Sequence, residues 1–372
     1  MKRLSLTALF AFVLLACLVL GCGDGQSSET GTTTAIDTTK IDTTNPQGKI
    51  ARLTEQLKFG PKNWRLWKRR SEAQYEAGNI AAAMSDIERA IEYSITEPET
   101  YYLRGFYQYA VKNDSAALKD FKRAADLNSV NPETYHQIGN IYFFRQEWAK
   151  AEEAYDHAIK LDSMAPAYYF SKGMMKEKQG KVDEAIKWYD QSIQRDPSFI
   201  KGLLALHDVF LNYKHNPDQA YMFNERVMLI DSMQPLAHFN QGNFFLVRAN
   251  LITDPKKMAD YEVLLKIALS EYNLSLKYDP TFVKALYARG YIYFLLEKYG
   301  QALGDFNKVV ELDPYHRDGF YMRGNIQEFQ GDLTSALENY RRAAEIDPKF
   351  KDAAVAVKEL SQKLERSKPE KK

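Results

Sequence analysis

Cysteine and histidine are the side chains of this sequence best suited to bind a transition metal or to act in nucleophilic catalysis. The two cysteines, Cys17 and Cys22, both lie close to the N-terminus, so the rest of the chain has no thiol. Six histidines are spread along the chain without the paired spacing of a metal site, at His136, His157, His207, His215, His238 and His316. No glycine-rich phosphate loop is found either. The sequence therefore predicts no metal, no cofactor and no catalytic centre, and it indicates a protein that is not an enzyme.

Cys22 suits a different chemistry, the attachment of a lipid. Lys2 and Arg3 precede an uncharged apolar run over residues 4–20, which is short for a membrane span and typical of an export signal. The sequence Val19-Leu20-Gly21-Cys22 resembles a bacterial lipobox, in which the cysteine is lipidated and becomes the mature N-terminus. This resemblance predicts a lipoprotein signal peptide over residues 1–21.

Alternatives to this assignment stay open. Leu14-Leu15-Ala16-Cys17 is a second candidate lipobox, and an ordinary cleaved signal or an uncleaved anchor would also fit the apolar run. Cys22 is favoured because a polar stretch follows it directly, over residues 22–48. That stretch is rich in Gly, Ser, Thr and Asp, and such a composition predicts a flexible tether.

The elements that would position any binding residues follow a repeat. Gly105, Gly139 and Gly173 stand 34 residues apart, and the same residue types recur at fixed offsets from each of these anchor positions. An aromatic residue lies four positions before the anchor, an alanine twelve after it and another aromatic sixteen after it. Residues three and four apart share one side of a helix, so each unit reads as two helices joined by a short turn. The pattern predicts an all-α repeat array.

A helix pair of 34 residues with small and aromatic signature positions resembles the tetratricopeptide repeat, or TPR. The last unit carries the signature best, with Phe320, Gly324, Gly331, Ala336, Tyr340, Ala343 and Pro348. The resemblance implies a right-handed α-solenoid of TPR helix pairs. Eight units are expected over residues 64–350, with anchors at Ser71, Gly105, Gly139, Gly173, His207, Gly242, Gly290 and Gly324. Residues 49–63 would form a partial repeat that caps the first unit, and residues 351–372 a capping helix and a basic tail.

Two units depart from the period. Gly173 and Gly242 are 69 residues apart, which places a one-residue insertion in the unit of His207. Gly242 and Gly290 are 48 residues apart, which places 14 extra residues near 249–262. Asp254-Pro255 suits the start of a helix that would run to about Tyr278 and project as a finger; a loop is the alternative.

A second stripe on each first helix, at offsets −3, +1 and +4 from the anchor, is rich in aromatic and asparagine residues. In a TPR array, the resemblance implies that this stripe lines the concave groove where partner peptides lie. The predicted groove residues are Tyr102, Phe106, Tyr109, His136, Asn140, Phe143, Phe170, Met174, Phe239, Asn243, Tyr287, Tyr291, Phe294, Tyr321 and Asn325. Exposed apolar helix surfaces mark binding sites, but the same rings could instead fill space between helices. Both interpretations stay open.

The charge balance bears on the class of partner. The formal net charge is +1, and it becomes −1 without Lys2 and Arg3, so no strong field favours nucleic acid. We expect a scaffold anchored by its lipid on the periplasmic side of a bacterial envelope, which binds a segment of another envelope protein. Gly23 after Cys22 favours the outer membrane over the inner one. The alternatives are a carrier that encloses a small hydrophobic ligand in a dry cavity, and a spacer without a specific ligand.

Overall fold

The computed structural model describes residues 45–366, and this range contains eighteen α-helices and no strand. Cys17, Cys22, the predicted signal and most of the predicted tether lie outside the described residues, as do positions 367–372. The first nine helices are α1 (Pro46–Phe59), α2 (Trp64–Glu76), α3 (Ile80–Tyr93), α4 (Pro98–Ala110), α5 (Asp114–Asp126), α6 (Pro132–Phe144), α7 (Trp148–Leu161), α8 (Pro166–Lys178) and α9 (Val182–Arg195). The other nine are α10 (Ile200–Asn212), α11 (Pro217–Ile230), α12 (Pro235–Asn250), α13 (Met258–Tyr278), α14 (Val283–Leu295), α15 (Tyr299–Leu312), α16 (Arg317–Phe329), α17 (Leu333–Ile346) and α18 (Lys351–Arg366).

The helices pack in consecutive pairs, from α2 with α3 to α16 with α17, and each pair stacks on the next. Helix α1 packs against α2 at one end, and α18 packs against α17 at the other. Contacts between neighbours in sequence are the hallmark of a solenoid, because each repeat buries its apolar face only against the adjacent repeats. The predicted all-α solenoid of helix pairs is confirmed.

The turn inside each pair explains one recurring residue type. Seven positions after the anchor, the backbone enters the left-handed region that ends the first helix, with φ of 79°, 74° and 85° at Gly78, Gly180 and Gly331. Three other units reach the same conformation without glycine, at Lys112, Gln146 and Glu297. Glycine suits this conformation because it has no Cβ, but the fold does not require glycine in every unit.

The centre of each regular pair is a buried ring of the second helix that lies against the anchor glycine of the first. These rings are 0–2% exposed and belong to Phe121, Tyr155, Tyr189, Tyr272, Phe306 and Tyr340. A Cβ atom built on Gly139 would lie 2.5 Å from the Tyr155 ring, closer than atoms can approach. Burying one such ring contributes about 1.5–3 kcal/mol. The glycine is therefore fixed by the ring that it faces.

Ion pairs join the two helices of several units beside this ring. The arginine just before the anchor holds an aspartate of the second helix through two hydrogen bonds of 2.6–2.8 Å, in the pairs Arg70–Asp86, Arg104–Asp120 and Arg289–Asp305. The last unit has Asn339 in place of the aspartate. There, Arg323 Nε is buried without a hydrogen-bond partner among residues 45–366, and burial lowers the pKa of this guanidinium.

The 14-residue insertion lengthens both helices of the sixth pair. Helix α12 continues to Asn250, a short 3-10 helix covers Pro255–Lys257, and α13 then runs 21 residues to Tyr278. The Asp254 side chain accepts a hydrogen bond from the Lys256 backbone N–H at 2.9 Å, as expected for a helix cap. Leu265, Ala268 and Tyr272 of α13 are buried, whereas Met258 and Val263 are half exposed. The insertion is therefore largely helical, and its first turns lie at the surface.

Candidate partner-binding groove

The predicted groove residues all occupy the first helices of six pairs, namely α4, α6, α8, α12, α14 and α16. Every one of the fifteen side chains is half-buried, so none is lost in the core and none is fully exposed. We call these positions the groove stripe. Each half-buried side chain has one side packed against the protein and one side open to solvent. The packed side fills space between helices, and the open side is available to a partner.

The −3 row of the groove stripe packs on the core ring of its own pair. In each of six units the two ring centroids lie 5.5–6.0 Å apart, in the pairs Tyr102–Phe121, His136–Tyr155, Phe170–Tyr189, Phe239–Tyr272, Tyr287–Phe306 and Tyr321–Tyr340. Contacts of this kind stabilise aromatic pairs by about 0.5–1.5 kcal/mol beyond area burial. Burial also raises the pKa of Tyr287 to about 12, so this phenol remains a hydrogen-bond donor at neutral pH. The −3 row thus stiffens the stripe.

Three asparagines of the +1 row are held by the core tyrosines. Each tyrosine hydroxyl donates to the asparagine Oδ1 over 2.8–3.0 Å, in the pairs Tyr155–Asn140, Tyr272–Asn243 and Tyr340–Asn325. Because each Oδ1 accepts a hydrogen bond from the core tyrosine, the amide NH2 group is the end of the side chain left to donate to a partner. The Nδ2 contacts that remain are long, 3.4 Å from Asn140 to Gln137 Oε1 and 3.7 Å from Asn325 to Met322 Sδ. An oriented amide donor suits a backbone carbonyl of a bound segment.

Carboxylates also lie along the stripe. Tyr189 donates to Glu177 at 2.6 Å. The Tyr340 hydroxyl lies 2.8 Å from Glu328 Oε2 and shares its single proton between this carboxylate and Asn325 Oδ1. Both glutamates occupy the +4 row. Glu177 and Glu328 are absent from the predicted groove residues, most of which are aromatic or asparagine side chains. Their offset from the anchor would have found them. The groove stripe is therefore aromatic and also acidic.

Glu133 forms a network near the centre of the stripe. It accepts hydrogen bonds from Gln137 Nε2 at 2.6 Å and from the Tyr168 hydroxyl at 3.4 Å, and His136 Nδ1 lies 3.2 Å away. Burial raises the pKa of Glu133, but the hydrogen bonds and the nearby imidazole outweigh it, so the pKa lies below its usual value. His136 Nε2 also lies 2.8 Å from Ser171 Oγ, which ties α6 to α8. This network adds a fixed negative charge to the stripe.

The fifth pair, α10 and α11, differs from the others. His207 replaces the anchor glycine, is 4% exposed and packs inside the pair. A pocket of about 540 Å³ opens beside it, between α10, α11 and α12, and its lining includes Asn224, Asn240 and Asn243. Sequence reasoning missed this pocket. The sequence signal for this pocket is the absence of an aromatic ring at the core position of α11. This absence is evident only when the one-residue insertion is placed in the turn between α10 and α11.

Residues 45–366 contain no group of three or more His, Cys, Asp or Glu side chains arranged to hold a metal ion. None of the α-helices described combines the length and the apolar character needed to cross a bilayer.

Comparison with known proteins supports the repeat assignment. Models of the tetratricopeptide repeat match residues 136–198, 283–316 and 318–350. A search of curated proteins gave no match.

Two similar solved structures show the fold alone, because their identities are low. The human IFIT1 dimer with m7Gppp-AAAA is 16% identical, with a TM-score of 0.55 over 87% of this chain and 79% of that one. The Cut9–Hcn1 hetero-tetramer of the APC/C is 12% identical, with a TM-score of 0.53 over 84% of this chain and 58% of that one. The three matched ranges therefore carry tetratricopeptide repeats, and the helix pairs around them stack in the same way.

Proposed function

We propose that this protein is a scaffold that holds an extended or helical segment of a partner protein along the groove stripe. Tetratricopeptide repeats support a role in protein–protein interaction, and such repeats are generally non-enzymatic. One observation carries the proposal for this chain. The half-buried rings of the stripe alternate with asparagine amides that buried tyrosines orient, as at Asn140 and Asn325. Rigid apolar contacts with oriented donors suit a peptide chain.

The charge of the stripe defines the chemistry of the partner segment further. Glu133, Glu177 and Glu328 each keep a carboxylate at or beside the stripe, held by tyrosine hydroxyls. A complementary segment would carry apolar side chains for the rings and lysine or arginine for the carboxylates. Charge complementarity of this kind sets orientation and the rate of association. An acidic segment would be repelled.

The proposal includes a lipid anchor at Cys22 and a location at the periplasmic face of a bacterial envelope, with the outer membrane favoured. Its support is the lipobox-like sequence at 19–22 and the polar stretch that follows. Labelling cells with an alkynyl fatty acid tests the anchor. We expect label on the wild-type protein and on Cys17→Ala, and none on Cys22→Ala. Label that persists on Cys22→Ala would exclude this site.

Photo-crosslinking in intact cells tests the groove itself. A photoreactive phenylalanine analogue would replace Tyr291, which is half-buried on α14, and in the matched control it would replace Lys308, which is exposed on α15. We expect one protein to be captured at position 291 and absent at 308. Capture of the same protein at both positions, or of none at 291, would contradict a partner site on the stripe.

A further inference from the structure

The fifth pair lacks the ring that fills six other pairs. Its second helix begins after a turn with one extra residue, so Ala220, Asn224 and Val227 occupy the positions of the usual alanine, aromatic and small residues. All three are 0–1% exposed. Asn224 thus stands where a buried phenyl or phenol ring stands elsewhere, and the anchor that it faces is His207. The exchange replaces an apolar ring by two smaller polar groups.

The pocket of the fifth pair is lined by these same positions. His207, Ala220 and Asn224 contribute to its floor, and Leu211, Phe244 and Val247 to its walls. Its volume of about 540 Å³ exceeds the space of a single ring, and the walls are mainly apolar. The fold therefore holds a concavity at the place where every regular unit carries aromatic side-chain volume.

One polar atom in this lining is unsatisfied. Asn224 Nδ2 donates to the Ala237 carbonyl oxygen at 2.9 Å and to Gln241 Oε1 at 3.2 Å, and these bonds fix the orientation of the amide. Asn224 Oδ1 is buried without a hydrogen-bond partner in the described part of the chain. A buried acceptor without a partner costs free energy, and a ligand that brings a donor would recover it.

The charges around the pocket cancel. At the rim, Asp218 and Arg248 form an ion pair with each other, and Arg248 lies over the Phe244 ring at 4.6 Å. His207 Nδ1 is 3.0 Å from Asp208 Oδ1. The two charged side chains of the lining, Asp218 and Arg248, thus pair with each other, and the apolar part of the lining suits a neutral group.

From these observations we propose that the pocket binds an aromatic ring with one hydrogen-bond donor, with the ring between the apolar walls and the donor on Asn224 Oδ1. A phenol has this chemistry. It can come from a tyrosine side chain of a partner or from a free phenolic molecule. The inference rests on the fifth pair alone and stands apart from the peptide proposal for the stripe.

Titration of the full chain with p-cresol and 4-methylanisole tests this site. The two probes share the ring and its oxygen, but in 4-methylanisole a methyl group replaces the donor hydrogen. Observed by isothermal calorimetry and by the methyl signals of Leu211 and Val247, p-cresol should bind at least tenfold more tightly. Equal affinity of the two probes, or no binding of p-cresol, would overturn the proposal.

Two tryptophan variants locate the site without disturbing the core. Val247→Trp fills the mouth from a half-exposed position, whereas Leu229→Trp adds the same side chain at an 87% exposed position of α11 outside the pocket. We expect Val247→Trp to weaken p-cresol binding at least tenfold and Leu229→Trp to leave it unchanged. Equal affinity in both variants would contradict the assignment.

Two further experiments test the role of Asn224 Oδ1 as the acceptor and identify the source of the phenol. Asn224→Leu should abolish the preference for p-cresol over 4-methylanisole; if this variant fails to fold, the tryptophan pair and the probe pair still decide. N-acetyl-tyrosinamide separates the sources. Binding as tight as that of p-cresol would support a partner's tyrosine, and binding of p-cresol alone would support a free phenol. If neither binds, the proposal is wrong.

Discussion

The third and fifth helix pairs share one architecture but differ at the centre, which is filled by an aromatic ring in the third pair and lacks that ring in the fifth. In the third pair, Gly139 allows the backbone of α6 to approach the Tyr155 ring, which is fully buried. In the fifth pair, His207 and Asn224 share that space and leave a pocket beside it. The helices keep their pairing in both cases. The comparison teaches that the glycine–ring contact fills the repeat, while the surrounding helix faces hold the pair together.

The same comparison extends to the groove stripe. Tyr155 reaches from the core to Asn140 and orients its amide. The fifth pair has no tyrosine at that position, and Asp208 takes the place of the asparagine with a side chain that is 59% exposed. The row of oriented amides is therefore interrupted at the fifth pair. A core hydroxyl reaches the groove stripe in the units of Tyr155, Tyr189, Tyr272 and Tyr340, and the fifth pair has no such hydroxyl.

The largest effect is expected from removing the ring. Tyr155→Ala should destabilise the third pair by about 3–5 kcal/mol, because it leaves a cavity that the glycine cannot fill. The matched change Asn224→Ala should cost about 1 kcal/mol, since it loses two hydrogen bonds but also removes an unsatisfied acceptor. Hydrogen exchange of the two pairs gives the local free energies of opening. Equal losses would break the distinction between the pairs.

A methyl group on the anchor comes next. Gly139→Ala should cost about 1–3 kcal/mol, because the added Cβ would meet the Tyr155 ring at 2.5 Å. In a Tyr155→Leu background the penalty should shrink, since a smaller side chain faces the anchor. Denaturant unfolding of the four proteins measures this coupling. Strict additivity would show that the contact does not fix the glycine.

Removing only the Tyr155 hydroxyl tests its effect on partner binding separately from its effect on stability. Tyr155→Phe should cost about 0.5–1.5 kcal/mol in stability. It should also weaken binding of the captured partner severalfold, because the Asn140 amide is no longer held. In an Asn140→Ala background, the change should have no further effect on binding. A second, equal loss of affinity there would place the role of Tyr155 outside this hydrogen bond.

The smallest effect concerns pH. Since the pKa of Glu133 is lowered in the folded chain, its contribution to stability is present above the ordinary carboxyl pKa and is lost as the pH falls through the lowered value. Glu133→Gln should flatten this part of the unfolding free energy profile between neutral and acidic pH. Glu147, whose pKa is lowered by its ion pair with Lys150 at the surface, provides the matched control Glu147→Gln, with a smaller change expected because solvent screens that pair. Parallel profiles for the wild type and Glu133→Gln would contradict the assignment.

Much of the fold could be predicted from the sequence, because the features that define it are local and periodic. The 34-residue spacing gave the helix pairs, and the left-handed turns at Gly78 and Gly331 followed from residue type. Asp254-Pro255 indicated the start of the inserted helical segment. The split of the groove stripe into a packed side and an open side could not be read from spacing, since it depends on distances such as Tyr102 to Phe121.

The pocket was beyond sequence reasoning for a related reason. The position of Asn224 becomes comparable with the rings only when the extra residue is assigned to the turn between α10 and α11. Asn224 Oδ1 has no partner within residues 45–366 because the amide is oriented by the acceptors of Ala237 and Gln241, which face Nδ2. Such an orientation cannot be read from the sequence. Likewise, the Arg104–Asp120 ion pair joins positions whose proximity follows from the packing of two helices.

A double-mutant cycle on the fifth pair tests the central comparison most directly. His207→Gly and Asn224→Tyr together would install the glycine–ring contact of the regular units. Denaturant unfolding should show the double variant to be at least about 1 kcal/mol more stable than the sum of the single changes predicts, and p-cresol should no longer bind. Effects that add within about 0.5 kcal/mol, or continued binding of p-cresol, would contradict the account.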